Sequence, residues 1–167
     1  MNRMKRLLTT ALCCTLLIFL AGCHGDSGDG VMERPDYTSV NYKLTVSQAL
    51  LHFYHVNITY VDVSGRERTE EMSTMEWNFF EKTDGEHDID FKMNVTATAR
   101  GVAPAQNDGQ DSYTLACEYS VEYYTKPTSA KRTARKAMDT TVKKESMEAY
   151  MQEHSTIALV NYDKTNP

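Results

Sequence analysis

Two stretches of the chain alternate apolar and polar residues too strictly to be helical. From Asp88 to Arg100, Ile89, Phe91, Met93, Val95, Ala97 and Ala99 share one phase, with Asp90, Lys92, Asn94, Thr96 and Thr98 on the other. From Ser112 to Thr125, Tyr113, Leu115, Cys117, Tyr119, Val121 and Tyr123 alternate with Thr114, Glu118, Ser120 and Glu122. Side chains on a strand repeat every two residues, so each stretch gives one face to a core and one to water. At about 3.3 Å per residue, each is a strand around 40 Å long. A sheet with one apolar face needs a second layer to cover it.

The rest of the chain supplies that layer. Asn41 to Val46 puts Tyr42, Leu44 and Val46 on one face, and Ser47 is placed to cap a helical turn over Gln48 to Phe53. Val56 to Val63 is apolar on both phases, as an inner strand would be. Asp62-Val63-Ser64-Gly65-Arg66 reads as a hairpin, and the charged run Glu67 to Met72 as an exposed edge strand. Met75, Trp77 and Phe79 alternate with Glu76 and Asn78, and Thr83-Asp84-Gly85-Glu86 reads as another hairpin turn. Gly101 to Asp111 is a loop, Ala130 to Val142 a basic, threonine-rich edge strand, and 145–153 a short helix with Met147, Tyr150 and Met151 on one face. In the last strand, Ser155 to Tyr162, Ile157, Leu159 and Asn161 are opposed by Ala158, Val160 and Tyr162. The expected fold is mainly β: a single antiparallel β-sandwich of seven to eight strands over residues 41–164.

The N-terminus belongs to a different molecule. Met1 to Arg6 carries three positive charges, and Leu7 to Ala21 is a nearly unbroken apolar run of 15 residues. As a helix it would span roughly 22 Å, short of a bilayer core and suited to a secretory signal. The run ends in Leu20-Ala21-Gly22-Cys23, which resembles the lipobox of bacterial lipoproteins. The resemblance implies a signal peptide over 1–22, cleavage before Cys23, and acylation of its thiol and new amino group by palmitate-type chains. Several acyl chains anchor stably where one does not. Residues 23–40, with Gly25, Gly28 and Gly30, then form a flexible tether. Acids just behind the lipid cysteine also resemble the surface-export signal of Bacteroides-type lipoproteins. Tyr42 to Phe53, Val56 to Gly65 and Met75-Glu76-Trp77 together resemble small Bacteroides-type lipoproteins, a family that brings no established activity. The expected location is the cell envelope, at the outer membrane.

Cysteine and charge arithmetic follow from that reading. Of four cysteines, Cys13 and Cys14 leave with the signal and Cys23 is lipidated, so Cys117 stands alone and no intrachain disulfide forms. The full chain has 167 residues and a net charge of -5. Losing Arg3, Lys5 and Arg6 leaves 15 basic against 23 acidic residues, a mature charge of -8. That balance argues against a nucleic-acid partner.

No residue pattern spells out catalysis. Gly25-Asp26-Ser27-Gly28 matches the surroundings of a trypsin-like serine, but a tether offers neither a base nor an oxyanion hole. Asp84, Glu86, His87, Asp88 and Asp90 gather at a turn without the spacing of a calcium loop. His52, His55, His87 and His154 are scattered, and two histidines at i, i+3 do not make a zinc site. Cys117 has inward phase and reads as a buried, inert thiol. The expectation is a non-enzyme without metal or cofactor, held to the membrane by its lipid and binding a protein or glycan partner. Two features are candidate contacts: the basic residues Lys131, Arg132, Arg135 and Lys136, near Lys126, Lys143 and Lys144, for an anionic partner, and Phe80 and Tyr124, aromatics on the polar phase, for exposure. Against the first stands an ordinary edge strand guarded by charge. A structural part in a surface complex, and more remotely a hydrolase, are the other readings.

Overall fold

The computed structural model describes residues 36–125 and 130–165. The lipobox, Ser27, Lys126 and most of the tether lie outside the described residues. Eight strands form two four-stranded antiparallel sheets, so the chain is mainly β as the alternation requires. The strands are β1 Tyr37–Val46, β2 Tyr54–Val61, β3 Glu67–Glu71, β4 Glu76–Asp84, β5 Lys92–Ala99, β6 Ser112–Thr125, β7 Lys131–Lys143 and β8 Thr156–Asp163. The first sheet has the order β4-β1-β6-β7 and the second β3-β2-β5-β8. Ring contacts tie them face to face: Tyr42 of β1 meets Tyr60 of β2 at 5.7 Å, and Tyr123 of β6 meets Phe91 at 5.6 Å. The Tyr42 hydroxyl donates to the Val61 carbonyl at 2.9 Å, so the two inner strands are also joined by a hydrogen bond.

Helices carry the chain between sheets at two crossings. Helix α1 (Gln48–Phe53) follows β1, and its first turn is capped by Ser47, whose hydroxyl accepts from Leu50 N. The same hydroxyl accepts from Ala116 N at 3.1 Å while Ser47 N donates to Ala116 O at 2.9 Å, which docks the cap onto β6. Leu50 and Phe53 thereby enter the core fully buried. A 3-10 turn, Lys144–Ser146, leads into α2 (Met147–Glu153), which buries Met147 and Met151 at the second crossing.

Burial follows the alternation where strands are inner and fails to where they are edges. β1 and β2 alternate buried and half-buried or exposed residues along their lengths, whereas all five residues of β3 are exposed. On β4, the other edge beside β3, Trp77 and Phe79 are only half-buried. Between them and β3, Glu70 accepts from the Trp77 indole N–H at 3.0 Å and from the Tyr60 hydroxyl. A carboxylate thus closes the open side of the sandwich, and these two donors hold Glu70 below its usual range.

Five details differ from the sequence expectation. Residues 37–40, expected in the tether, are the start of β1 and pair with β4, and from Thr38 on with β6 as well. The strand expected from Asp88 to Arg100 pairs only over Lys92–Ala99, with β8 from Lys92, opposite Asp163, and with β2 from Met93, opposite Tyr60. Ile89 and Phe91 keep their inward phase while the chain crosses between sheets. Asp84-Gly85 makes a sharp turn with Gly85 at φ 85, but β4 and β5 lie in different sheets, so no hairpin forms there. In the β5–β8 ladder the register slips between Val95 and Thr96 of β5, inserting Leu159 into β8. Leu159, Val160 and Tyr162 are therefore buried and Asn161 is exposed. Tyr124 is half-buried rather than exposed, because its ring stacks on Tyr37.

Candidate functional site

The face of the first sheet turned away from the core collects the polar-phase residues of β4, β1, β6 and β7. Their order across the sheet is fixed by the register. Phe80 lies opposite Asn41, Asn41 opposite Glu122, and Glu122 opposite Arg132. In the row two residues along, Lys82 lies opposite Ser39 and Ser39 opposite Tyr124. Phe80 is 62% exposed, an apolar ring on a face that has no layer above it among the described residues. Beside it the Tyr37 and Tyr124 rings stack at 4.4 Å and 28°, and Lys82 Nζ sits 4.1 Å from the Tyr37 centroid. The outer face thus carries a Tyr37–Tyr124 stack with Lys82 over Tyr37 and, separately, the exposed Phe80 ring, with amide, hydroxyl, carboxylate and ammonium groups among them. Rings of this kind stack on other flat apolar faces, and the polar groups between them can donate and accept.

The basic residues do not form one patch. Glu118, Ser120 and Glu122 on the outer face of β6 stand opposite Lys136, Ala134 and Arg132, whereas Tyr119 and Tyr123 stand opposite Arg135 and Lys131. Arg132 and Lys136 therefore face outward with two glutamates beside them, and Lys131 and Arg135 lie on the inner rim. All four side chains are exposed. Lys136 also pairs with Asp139 at 2.8 Å. The stretch is an edge strand carrying positive charge on both sides, as the guarded-edge reading anticipates, with an anionic-partner face cut by glutamates.

The acidic turn lines an open cleft at one end of the sandwich, where Glu86 to Asp90 meet Ser64, Gly65 and Glu67 of the β2–β3 turn. Lys164 Nζ lies 2.9 Å from Asp88, and Lys92 Nζ lies 3.2 Å from Asp163. Among the described residues no group of three or more His, Cys, Asp or Glu side chains is placed to hold a metal. The histidines stand apart. His55 Nδ1 is 2.6 Å from Glu71, His52 packs edge-on against Phe53, and His154 lies against Tyr150.

Sequence reasoning missed the most constrained polar side chain, Asp62. Its carboxylate is completely buried. Oδ1 accepts from Ser64 N at 2.9 Å, Ser64 Oγ at 2.6 Å and Arg66 N at 3.0 Å, and Oδ2 accepts from Arg68 Nε at 2.8 Å. Burial alone would raise its pKa, but the Ser64 hydroxyl, the Arg66 and Ser64 N–H groups and the Arg68 guanidinium outweigh burial and hold it well below the usual carboxylate range. Three of these donors belong to the turn itself and Arg68 to the strand that follows it, so the group ties a hairpin rather than serving a ligand. The signal in the sequence is Asp-x-Ser-Gly-Arg, an aspartate bonding its own turn's backbone. Cys117 is fully buried and unpaired, and burial, with Glu118 nearby, pushes its thiol up to about 12.

Comparison with protein-family models, curated proteins and solved structures finds no match.

Proposed function

We propose that the protein is a lipid-anchored envelope module that binds rather than catalyses, and that the outer face of the first sheet is its contact surface. The lipobox Leu20-Ala21-Gly22-Cys23 supports the anchor. The observation that carries the binding role is the placement of Tyr37, Phe80 and Tyr124 on the solvent side of a sheet whose other side already holds the core. Phe80, exposed on that face, contributes little to folding, whereas Tyr37 and Tyr124 also stack on each other. The exposed large hydrophobics, Met75, Phe80 and Val102, sit on separate segments and do not merge into the broad apolar patch a protein partner uses. Isolated rings among hydrogen-bonding side chains suit a glycan, whose sugar rings present flat C–H faces edged by hydroxyls.

Affinity electrophoresis of the detergent-solubilised full chain through gels containing neutral or acidic soluble polysaccharides tests the reading. At least one polysaccharide is expected to retard the wild type. Phe80→Ala and Tyr124→Ala should each weaken that retardation by about 5–10-fold, the loss of one stacking contact. Retardation that both variants keep unchanged would move the ligand off this face.

A further inference from the structure

The two outer edges of the first sheet are complementary to each other. In the sheet's own register, the row that ends in Lys136 on β7 begins with Glu76 on β4, and the row that ends in Lys131 begins with Glu81. The row ending in Arg135 begins with Trp77, and the row ending in Arg132 begins with Phe80. The remaining two rows join Ala134 to Asn78 and Thr133 to Phe79. If a second copy is placed beside the first by continuing the sheet, these row-mates become cross-strand neighbours. The seam then holds two Lys–Glu pairs and two Arg–aromatic pairs, and no like charges meet.

From this we infer that anchored copies of the chain join edge to edge, β4 of one copy adding beside β7 of the next to continue the antiparallel sheet. Strand direction permits it: four antiparallel strands leave β7 running opposite to β4, and an even number of strands brings the hydrogen-bonding alternation back into phase. The register is selected by charge. A shift of two residues one way sets Arg132 against Lys82, and a shift of two the other way leaves Lys131 and Lys136 without glutamates. Two copies meeting β7 to β7 would oppose cation to cation. The register slip between Cys117 and Glu118, which inserts Ala137 into β7, ends the regular edge beyond Lys136. The seam is therefore six residues, about 20 Å long.

A guarded edge alone accounts for lysine and arginine on β7, and Trp77 and Glu81 are also held within the copy, by Glu70 and by Val63 N; it does not account for the exposed Glu76 and Phe80 at the rows of Lys136 and Arg132. The contact is heterologous, so it builds an open row instead of a closed dimer, and strand twist turns successive copies. So short a seam is weak in dilute solution. The lipid anchor supplies the missing concentration by confining copies to one surface. The inference rests on the anchored reading in that respect and goes beyond it by making the ligand-binding faces continuous from copy to copy.

Asn78→Cys and Ala134→Cys place two thiols opposite each other across this seam, within the Cα range a disulfide spans. Cys117 is buried. In oxidised membranes carrying the full chain with both substitutions, non-reducing gels should show a ladder of dimers, trimers and higher species. Each single variant alone should stay monomeric, and membranes holding both singles should yield dimers only. Arg132→Ala with Arg135→Ala, added to the double-cysteine chain, should cut the ladder at least tenfold while the circular dichroism spectrum stays native. Absence of the ladder overturns the inference. So does a ladder indifferent to the arginines, a dimer from Ala134→Cys alone, or capture of a different protein by that thiol. The share of chain recovered with membranes in the same samples distinguishes this failure from failure of the anchor.

Discussion

Asp62→Ala lowers the stability of the domain by about 2–4 kcal/mol, the cost of removing a buried acceptor from several charge-assisted hydrogen bonds while the Arg66 and Arg68 guanidinium groups stay in reach of water. The loss is large because four donors converge on this side chain. Ser64 N–H, Arg66 N–H and the Ser64 hydroxyl all reach it within the turn, and Arg68 reaches it from β3. Without the carboxylate these groups must find water at a site where the carboxylate was completely buried. The pH dependence has a definite sign. The folded-state pKa is depressed relative to an unfolded aspartate near about 3.9. The stabilisation is therefore complete above about pH 4 and is lost as pH falls toward the lower folded value. Urea unfolding at pH 7 and at pH 3 should show a wide gap between wild type and Asp62→Ala at pH 7 and a narrower one at pH 3. An unchanged gap would assign the stabilisation to packing.

Phe53→Ala and Phe80→Ala are the second pair of expected results, and they differ because of what surrounds the ring. Phe53 ends α1 with no exposed surface, and its ring meets Tyr113 edge-on at 4.8 Å. Its truncation removes the transfer energy of the ring and leaves a cavity between α1 and β6, for a loss of about 3–5 kcal/mol. Phe80 is 62% exposed, so its truncation should change stability by less than about 0.5 kcal/mol. Thermal or denaturant unfolding of the two variants checks both. A Phe80→Ala chain as unstable as Phe53→Ala would make Phe80 part of the core and remove the basis for an outer contact face.

The strands were legible because their burial is one-sided. Tyr113 to Tyr123 and Met93 to Ala97 have every second side chain in the core, and no other secondary structure produces that period. The edge character of Glu67 to Glu71 was equally legible from charge, whereas the basic, threonine-rich stretch before Lys143 left open whether a strand forms there at all. The parts that escaped are those where burial and side-chain polarity disagree. Thr38 is fully buried, its hydroxyl donating to Gly85 O at 3.2 Å and accepting from His87 N at 2.9 Å, so the start of β1 carries no apolar signal. Ile89 and Phe91 are the reverse case, buried in phase with β5 but outside its ladder. The insertion of Leu159 shifts the phase of β8 halfway along, which one pattern applied to the whole segment cannot follow. On the candidate site, Phe80 was visible as an apolar residue on a polar phase, whereas Tyr37 lay in a segment read as tether. The complementarity of the β4 and β7 edges was not visible at all, since it depends on which strands share a sheet and in what register.

A lipid on Cys23 would hold this sandwich at a membrane. Membrane fractionation of cells producing the full chain or Cys23→Ala, followed by external protease on intact cells, tests it most directly. The wild type is expected in the membrane fraction and in a processed form, and Cys23→Ala is expected to leave the membrane almost completely while its domain keeps the same protease-resistant core. Retention of Cys23→Ala in the membrane at the wild-type level would contradict the anchor, and with it the reading of this protein as a lipid-held binding module.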